Sequence, residues 1–193
     1  MNDIRIGFAT EEHLAYCQEI SDAIAQAAKD KDSGLALREP SYLAEKIREG
    51  LGVIALDYGT DPDESPDDAP RGDASDMPAL AGFCYIQPWE HGLFVAHSGL
   101  IVLPQYRGRG LASAIKQKAF DLTAARYPQA KVFGLTTSPA VRKINISLGY
   151  REVPYSDITA DINFWKGCCS CTHYSTLCQN RFETCRCTAM LKG

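Results

Sequence analysis

Long apolar runs are missing from this chain. No stretch approaches the roughly 18 consecutive apolar residues that a membrane span needs, and Met1-Asn2-Asp3-Ile4-Arg5 has neither the basic start nor the apolar core of a signal peptide. A cytoplasmic protein with no membrane partner is therefore expected. A broad basic face with interleaved aromatics is also missing, which speaks against nucleic acid as a partner. Internal repeats are absent, so a solenoid or propeller is excluded. What remains is 193 residues with 45% hydrophobic and 23% charged side chains, enough to bury one sizeable core. The expectation is a single domain over 1–193, and nothing in it excludes a homodimer.

Charge and cysteine are unevenly spread. Residues 60–78 carry seven acids, from Asp61 to Asp76, against Arg71 alone, so the stretch is −6 and the remainder of a chain of net charge −4 is +2. With four prolines and little apolar content, 60–78 reads as a solvated acidic loop. Of the eight cysteines, six fall in the last 26 residues, which makes 159–193 a cysteine-rich tail with few core residues.

The periodicities order the elements. Ile4–Phe8 alternates like a strand, and Thr10 before Glu11 and Glu12 starts a helix whose apolar stripe runs to about Asp30. A short helix is expected over Ser41–Glu49. Gly52–Asp57 and Ala79–Ile86 form an antiparallel hairpin across the acidic loop, and Leu93–Leu103 continues the meander. A helix then opens at Gly110 and stops at Pro128, followed by a strand at Lys131–Thr137, a helix from Ser138 to Leu148 and a last strand at Thr184–Leu191. This order makes one mixed α+β sheet with helices packed on it.

One absence points to a ligand. The helix after Gly110 has no acid before Asp121, yet Arg107 and Arg109 stand at its start, where the helix dipole favours negative charge. A bound pyrophosphate supplies the missing anion, and Gly108 and Gly110 let the backbone approach it. A dinucleotide fold is rejected, because Gly108-Arg109-Gly110-Leu111-Ala112-Ser113 lacks the third glycine and follows the fourth strand of a meander.

The string Val102-Leu103-Pro104-Gln105-Tyr106-Arg107-Gly108-Arg109-Gly110-Leu111-Ala112 resembles the Q/R-x-x-G-x-G/A cofactor signature of the GNAT superfamily of N-acyltransferases. The resemblance implies a GNAT-like, mostly antiparallel sheet of six to seven strands with helices on both faces, and acetyl-CoA or another acyl-CoA as cosubstrate. It implies that the backbone of Leu100, Ile101 and Val102 holds the pantetheine arm, and that the amides of Arg107, Gly108, Arg109, Gly110, Leu111 and Ala112 hold the pyrophosphate. Further strings, among them Lys143-Ile144-Asn145, Phe164-Trp165-Lys166-Gly167-Cys168 and Cys185-Arg186-Cys187, resemble a GNAT subgroup associated with arginine biosynthesis, which implies glutamate or a close relative as acyl acceptor. Arg38 and Lys143, with Arg142 and Lys166, are candidate cations for such an acid. Each also fits ordinary surface charge.

Transfer of an acetyl or succinyl group to an amine requires a neutral amine, a stabilised oxyanion and a proton for the departing thiolate. In the family the acid is often a Tyr five residues before the aromatic of the helix-ending Gly-aromatic pair. Counting back from Tyr150 lands on Asn145, an amide that can orient the thiol or a water by hydrogen bonding but cannot give the proton. Tyr155 and Ser147 are replacements to consider, and His97 is a candidate base acting through a water. The departure also keeps open a non-catalytic acyl-CoA-binding module, or an acetyltransferase acting on a protein amine. In the tail, Cys168-x-x-Cys171 with Cys185-x-Cys187 on one strand face resembles a structural zinc site, but the spacing is not a standard one and free thiols packing as small apolar residues are the favoured reading.

Overall fold

The structure is a computed structural model that describes residues 3–29, 33–59 and 77–193. The expected acidic loop at 60–78 therefore lies outside the described residues except for Met77 and Pro78.

Seven strands form one sheet in the order β1-β2-β3-β4-β5-β7-β6, antiparallel except where β4 meets β5. They are β1 (Ile4–Phe8), β2 (Gly52–Asp57), β3 (Ala79–Trp89), β4 (Phe94–Val102), β5 (Lys131–Thr136), β6 (Arg151–Glu152) and β7 (Thr188–Lys192). The helices are α1 (Cys17–Ala28), α2 (Pro40–Arg48), α3 (Leu111–Arg126), α4 (Pro139–Ser147), α5 (Ile162–Lys166) and α6 (Tyr174–Gln179). The expected first helix begins as a 3-10 stretch, Glu11–Tyr16, in front of α1. Its start is held where the Thr10 N–H donates to His13 Nδ1 (3.0 Å), satisfying one of the donors that a helix beginning leaves unpaired.

β2 and β3 read as continuous apolar runs because both faces of the sheet are covered. Ile54, Leu56, Leu80, Phe83 and Tyr85 pack with Ile20, Ile24, Leu43 and Ile47 of α1 and α2. Val53, Ala55, Ala81, Cys84 and Ile86 pack with Leu111, Ile115, Ala119 and Leu122 of α3. Such burial stabilises by roughly 1.5–3 kcal/mol for each large side chain. Ala55 pairs with Gly82 but Leu56 pairs with Leu80, so Ala81 is an extra residue that resets which face each later side chain of β3 takes.

The tail differs from its expectation of few core residues. Tyr155, Ile158, Trp165, Leu177, Ala189 and Leu191 form a third buried cluster with Ala96 and Phe133. The Trp165 indole N–H donates to the Thr159 carbonyl (3.0 Å), which lets a large ring be buried without an orphaned donor. β7 starts at Thr188 instead of Thr184, so Cys185 and Cys187 precede the strand.

Candidate active site

The parallel pair β4–β5 is short. Phe94, Val95 and Ala96 face Lys131, Val132 and Phe133, and no pairing follows. From His97 onward the two strands part, leaving a wedge in the middle of the sheet. β4 is also bulged there: Tyr85 pairs with Ser98 while Phe83 pairs with Ile101, so Gly99 and Leu100 together oppose Cys84. Gly99 has φ +63, and a Cβ on it would stand 2.7 Å from the Tyr85 ring, which is why a glycine occupies this point. A cavity of about 1560 Å³ opens on the wedge, and its lining includes Leu100, Ile101 and Val102 with Gly108 and Gly110, as well as Arg38, Tyr85 and Gln87.

The stretch expected to cradle a pyrophosphate lies at the start of α3. Gly108 and Gly110 have φ +75 and +78, and a Cβ on either would meet nothing within 4 Å, so both face open space. The first bond of the α3 ladder runs from Ala114 N–H to the Gly110 carbonyl (3.2 Å), so the N–H groups of Leu111, Ala112 and Ser113 have no acceptor within the helix. The first turn of α3 contains no acid. Arg107, whose Nε donates to the Val102 carbonyl (3.0 Å), lines the cavity with Leu111 and Ala112. Arg109 does not, since its guanidinium lies 5.9 Å from the Tyr106 ring centre. Free amides, a helix dipole and a cation around an open mouth fit a pyrophosphate.

Where the strands part, polar groups are buried together. His97, 7% exposed, meets Thr123 Oγ1 through Nε2 (3.0 Å) and Tyr150 Oη through Nδ1 (3.4 Å). Burial, then the Lys116 and Lys192 ammonium groups, hold its imidazole well below the usual histidine range, so it is neutral at pH 7. Lys116, 2% exposed, donates from Nζ to Tyr150 Oη (3.1 Å), and burial brings it down to about 8. Burial also pushes the Cys84 thiol up to about 11 and Tyr150 well above the tyrosine range. Asn145 is 2% exposed, with its Nδ2 at the Met190 sulfur (3.4 Å) and its Oδ1 without a partner among the described residues. His97, Lys116 and Asn145 all line the cavity.

Also on the cavity wall, Arg38 is half-buried. Its Nε donates to Tyr85 Oη (2.7 Å), its Nη1 donates to the Leu37 carbonyl (2.8 Å), and its guanidinium carbon lies 5.7 Å from the Tyr42 ring centre. No carboxylate pairs with it among the described residues. Beside it on the cavity wall, Gln87 Oε1 and Trp89 Nε1 are buried without protein partners among the described residues.

Other expected site residues lie elsewhere or are engaged. Lys143 is exposed on α4 and does not line the cavity, and Arg142 pairs with Glu152. Tyr155 does line it, but its hydroxyl donates to the Cys187 carbonyl (2.8 Å) and its ring stacks on Trp165, so it fixes the tail. Ser147 is exposed and donates to the Ile144 carbonyl (2.8 Å). Cys168, Cys171, Cys185 and Cys187 are free thiols gathered in one neighbourhood, and burial with their mutual proximity pushes the Cys168 thiol up to about 11. Among the described residues no three His, Cys, Asp or Glu side chains are arranged to hold a metal ion. The period-two placement expected for Cys185 and Cys187 does not apply, because both precede β7.

Lys116 and Cys84 were missed from the sequence. The signal was there for Lys116: spacing from Ala112 and to Ala119 and Thr123 sets it on the face of α3 that turns inward, so a cation stands on a buried stripe. Cys84 carried no such mark, being one apolar-like residue in an apolar strand.

The Acetyltransferase (GNAT) family model matches residues 37–148. No curated protein matches the sequence. Among solved structures, the chain is similar to Rv2747 from Mycobacterium tuberculosis in complex with CoA and NLQ, with a TM-score of 0.59 and 14% identity over 97% of each chain. It is similar to N-acetylglutamate synthase from Neisseria gonorrhoeae complexed with coenzyme A and N-acetyl-glutamate, with a TM-score of 0.63 and 12% identity over 98% of this chain and 34% of that one. A GNAT superfamily phosphinothricin acetyltransferase from Sinorhizobium meliloti in complex with AcCoA gives 0.59 and 12%, over 98% and 87%. At these identities the likeness is one of fold.

Proposed function

Because this chain belongs to the GNAT acetyltransferase family, we propose that it moves an acetyl group from acetyl-CoA directly to the amine of a small carboxylate-bearing acceptor, an amino acid of the glutamate type. Acetyl-CoA, when bound, supplies the activated thioester. The chain's own residues supply the rest. Gly108, Gly110 and the first amides of α3 fit the pyrophosphate, and the open edge of β4 at Leu100–Val102 offers backbone groups to the arm. Direct transfer needs no protein nucleophile, and neither buried thiol nor hydroxyl here is activated as one.

The observation that carries the acceptor class is Arg38. A half-buried guanidinium on a cavity wall with no carboxylate partner among the described residues calls for an anion, and its planar donors suit a carboxylate. Gln87 Oε1 stands ready as an acceptor for an amine hydrogen. The fold likeness to an N-acetylglutamate synthase makes glutamate the first acceptor to try.

The test is thiol release from acetyl-CoA and succinyl-CoA against a panel of amino acids, decarboxylated amines and a lysine-bearing peptide, with products identified by mass. Turnover is expected with amino acids and acetyl-CoA, with Arg38→Met raising KM for the acceptor at least about 10-fold, the loss of one charged hydrogen-bonded pair. Equal turnover of amines without a carboxylate would remove the acceptor class. Tight acyl-CoA binding with no thiol release on any acceptor would favour a sensing role, the reading that Asn145 motivates.

A further inference from the structure

A charged group lies between α3 and the sheet with no anion to explain it. Lys116 points from the second turn of α3 to the place where β4 and β5 part, is 2% exposed, and lines the same cavity as Leu100–Val102 and Asn145. The titratable groups that face it are Cys84 on β3, His97 on β4 and Tyr150 after α4, with Lys192 of β7 next in the cluster. None of the first three is charged at neutral pH, and Lys192 is itself a cation. A buried ammonium without a counterion is costly unless a ligand or a reaction uses it.

We propose that Lys116 is the general acid that protonates the departing thiolate of coenzyme A, in the role that Asn145 cannot fill. The inference rests on the acetyl-transfer reading above. The acceptor nitrogen bonds to the carbonyl carbon, the bond between that carbon and sulfur breaks with its electron pair going to sulfur, and sulfur takes a proton from Lys116 Nζ. The acceptor nitrogen loses its surplus proton to water, and the neutral Lys116 amine regains one from water, so protons balance over the cycle. The competing donors are engaged or uncharged: Tyr155 donates to the Cys187 carbonyl, Ser147 is exposed and bonded to its own helix, and His97 carries no spare proton at pH 7. Burial sets the Lys116 ammonium at about 8, close to the ordinary thiol value of about 8.5, which is the match that proton transfer to a leaving thiolate wants.

The first experiment needs no turnover. Ultraviolet titration of the thiolate of CoA in the binary complex is expected to show the bound thiol ionising at least about one unit lower with the native chain than with Lys116→Met, since a nearby cation favours the thiolate. Unchanged titration would overturn the inference. The second is the pH profile of kcat. The native rate is expected to fall as pH rises through about 8, Lys116→Met to lose about 100-fold at neutral pH along with that falling limb, and Lys116→Arg to move the limb to higher pH. A Lys116→Met enzyme that keeps the limb removes Lys116 from the chemistry. Binding of desulfo-CoA checks that each variant keeps its site; should Lys116→Met lose it, Lys116→Arg decides by whether the limb moves. If the native chain acetylates no amine, the acceptor reading falls while the thiol titration still decides Lys116.

Discussion

A single buried lysine shows how function and stability oppose one another at the residue scale. The Lys116 value falls from 10.5 in the unfolded chain to about 8 in the folded one, with burial as the cause. Between those values the unfolded chain holds a proton that the folded chain has released, so stability rises with pH across the window. Below pH 8 the cost is fully present, about 3 kcal/mol at 1.36 kcal/mol per unit. Lys116→Met is therefore expected to raise Tm at pH 7, with the gain shrinking towards pH 10.5, as thermal unfolding across that range would show. Tyr155→Phe is expected to cost about 1 kcal/mol by chemical denaturation, the worth of one hydrogen bond to a carbonyl, while leaving kcat near native. A large fall in kcat at unchanged stability would return Tyr155 to the chemistry. At this scale the sequence was only partly legible. Asn145 was identified as a departure by counting back from Tyr150, and it is buried on the cavity wall. Of the four cations named for the acceptor, Arg38 lines the cavity and Arg142, Lys143 and Lys166 do not, because side-chain direction depends on how each helix packs, which spacing alone does not give.

Elements were read more fully, because their signals are local. The positive-φ glycines at 108 and 110, the acid-free start of α3 and the strand before it all lie where the motif implies. Replacing both glycines with glutamate puts side chains into left-handed conformations and negative charges where the proposed pyrophosphate would sit. The double variant is expected to weaken CoA binding on the order of 100-fold or more by calorimetry, like-charge contact costing several kcal/mol. Tight binding by that variant would dismiss the cradle. The tail shows where local signals fail. Its cysteines invited a metal, but Trp165, Leu177 and Leu191 supply an apolar core that sequence periodicity could not assign, since they come from short elements separated by turns.

For the whole molecule, the strand order was the part that sequence could not carry. β7 inserts between β5 and β6, so the end of the chain closes the middle of one half of the sheet, a long-range pairing that no window of residues encodes. A chain cut before Thr188 is expected to lose cooperative unfolding by circular dichroism, since β5 and β6 would each lose a partner.

The wedge between β4 and β5 has a further consequence. Beyond Ala96 and Phe133, the backbone rim that each strand turns towards the other has no strand partner among the described residues, so the protein carries edge strands in its interior. Such rims are sticky in any sheet. On the proposed reading the donor's amide-bearing arm would act as a surrogate strand, leaving the unliganded protein the one at risk of pairing with the wrong chain. Amide hydrogen exchange at 98–102 and 134–136 is expected to slow when CoA is added, and the protein to resist aggregation longer in its presence. On that reading the gap between β4 and β5 is also a seam in the sheet, one that the donor would mend each time it enters.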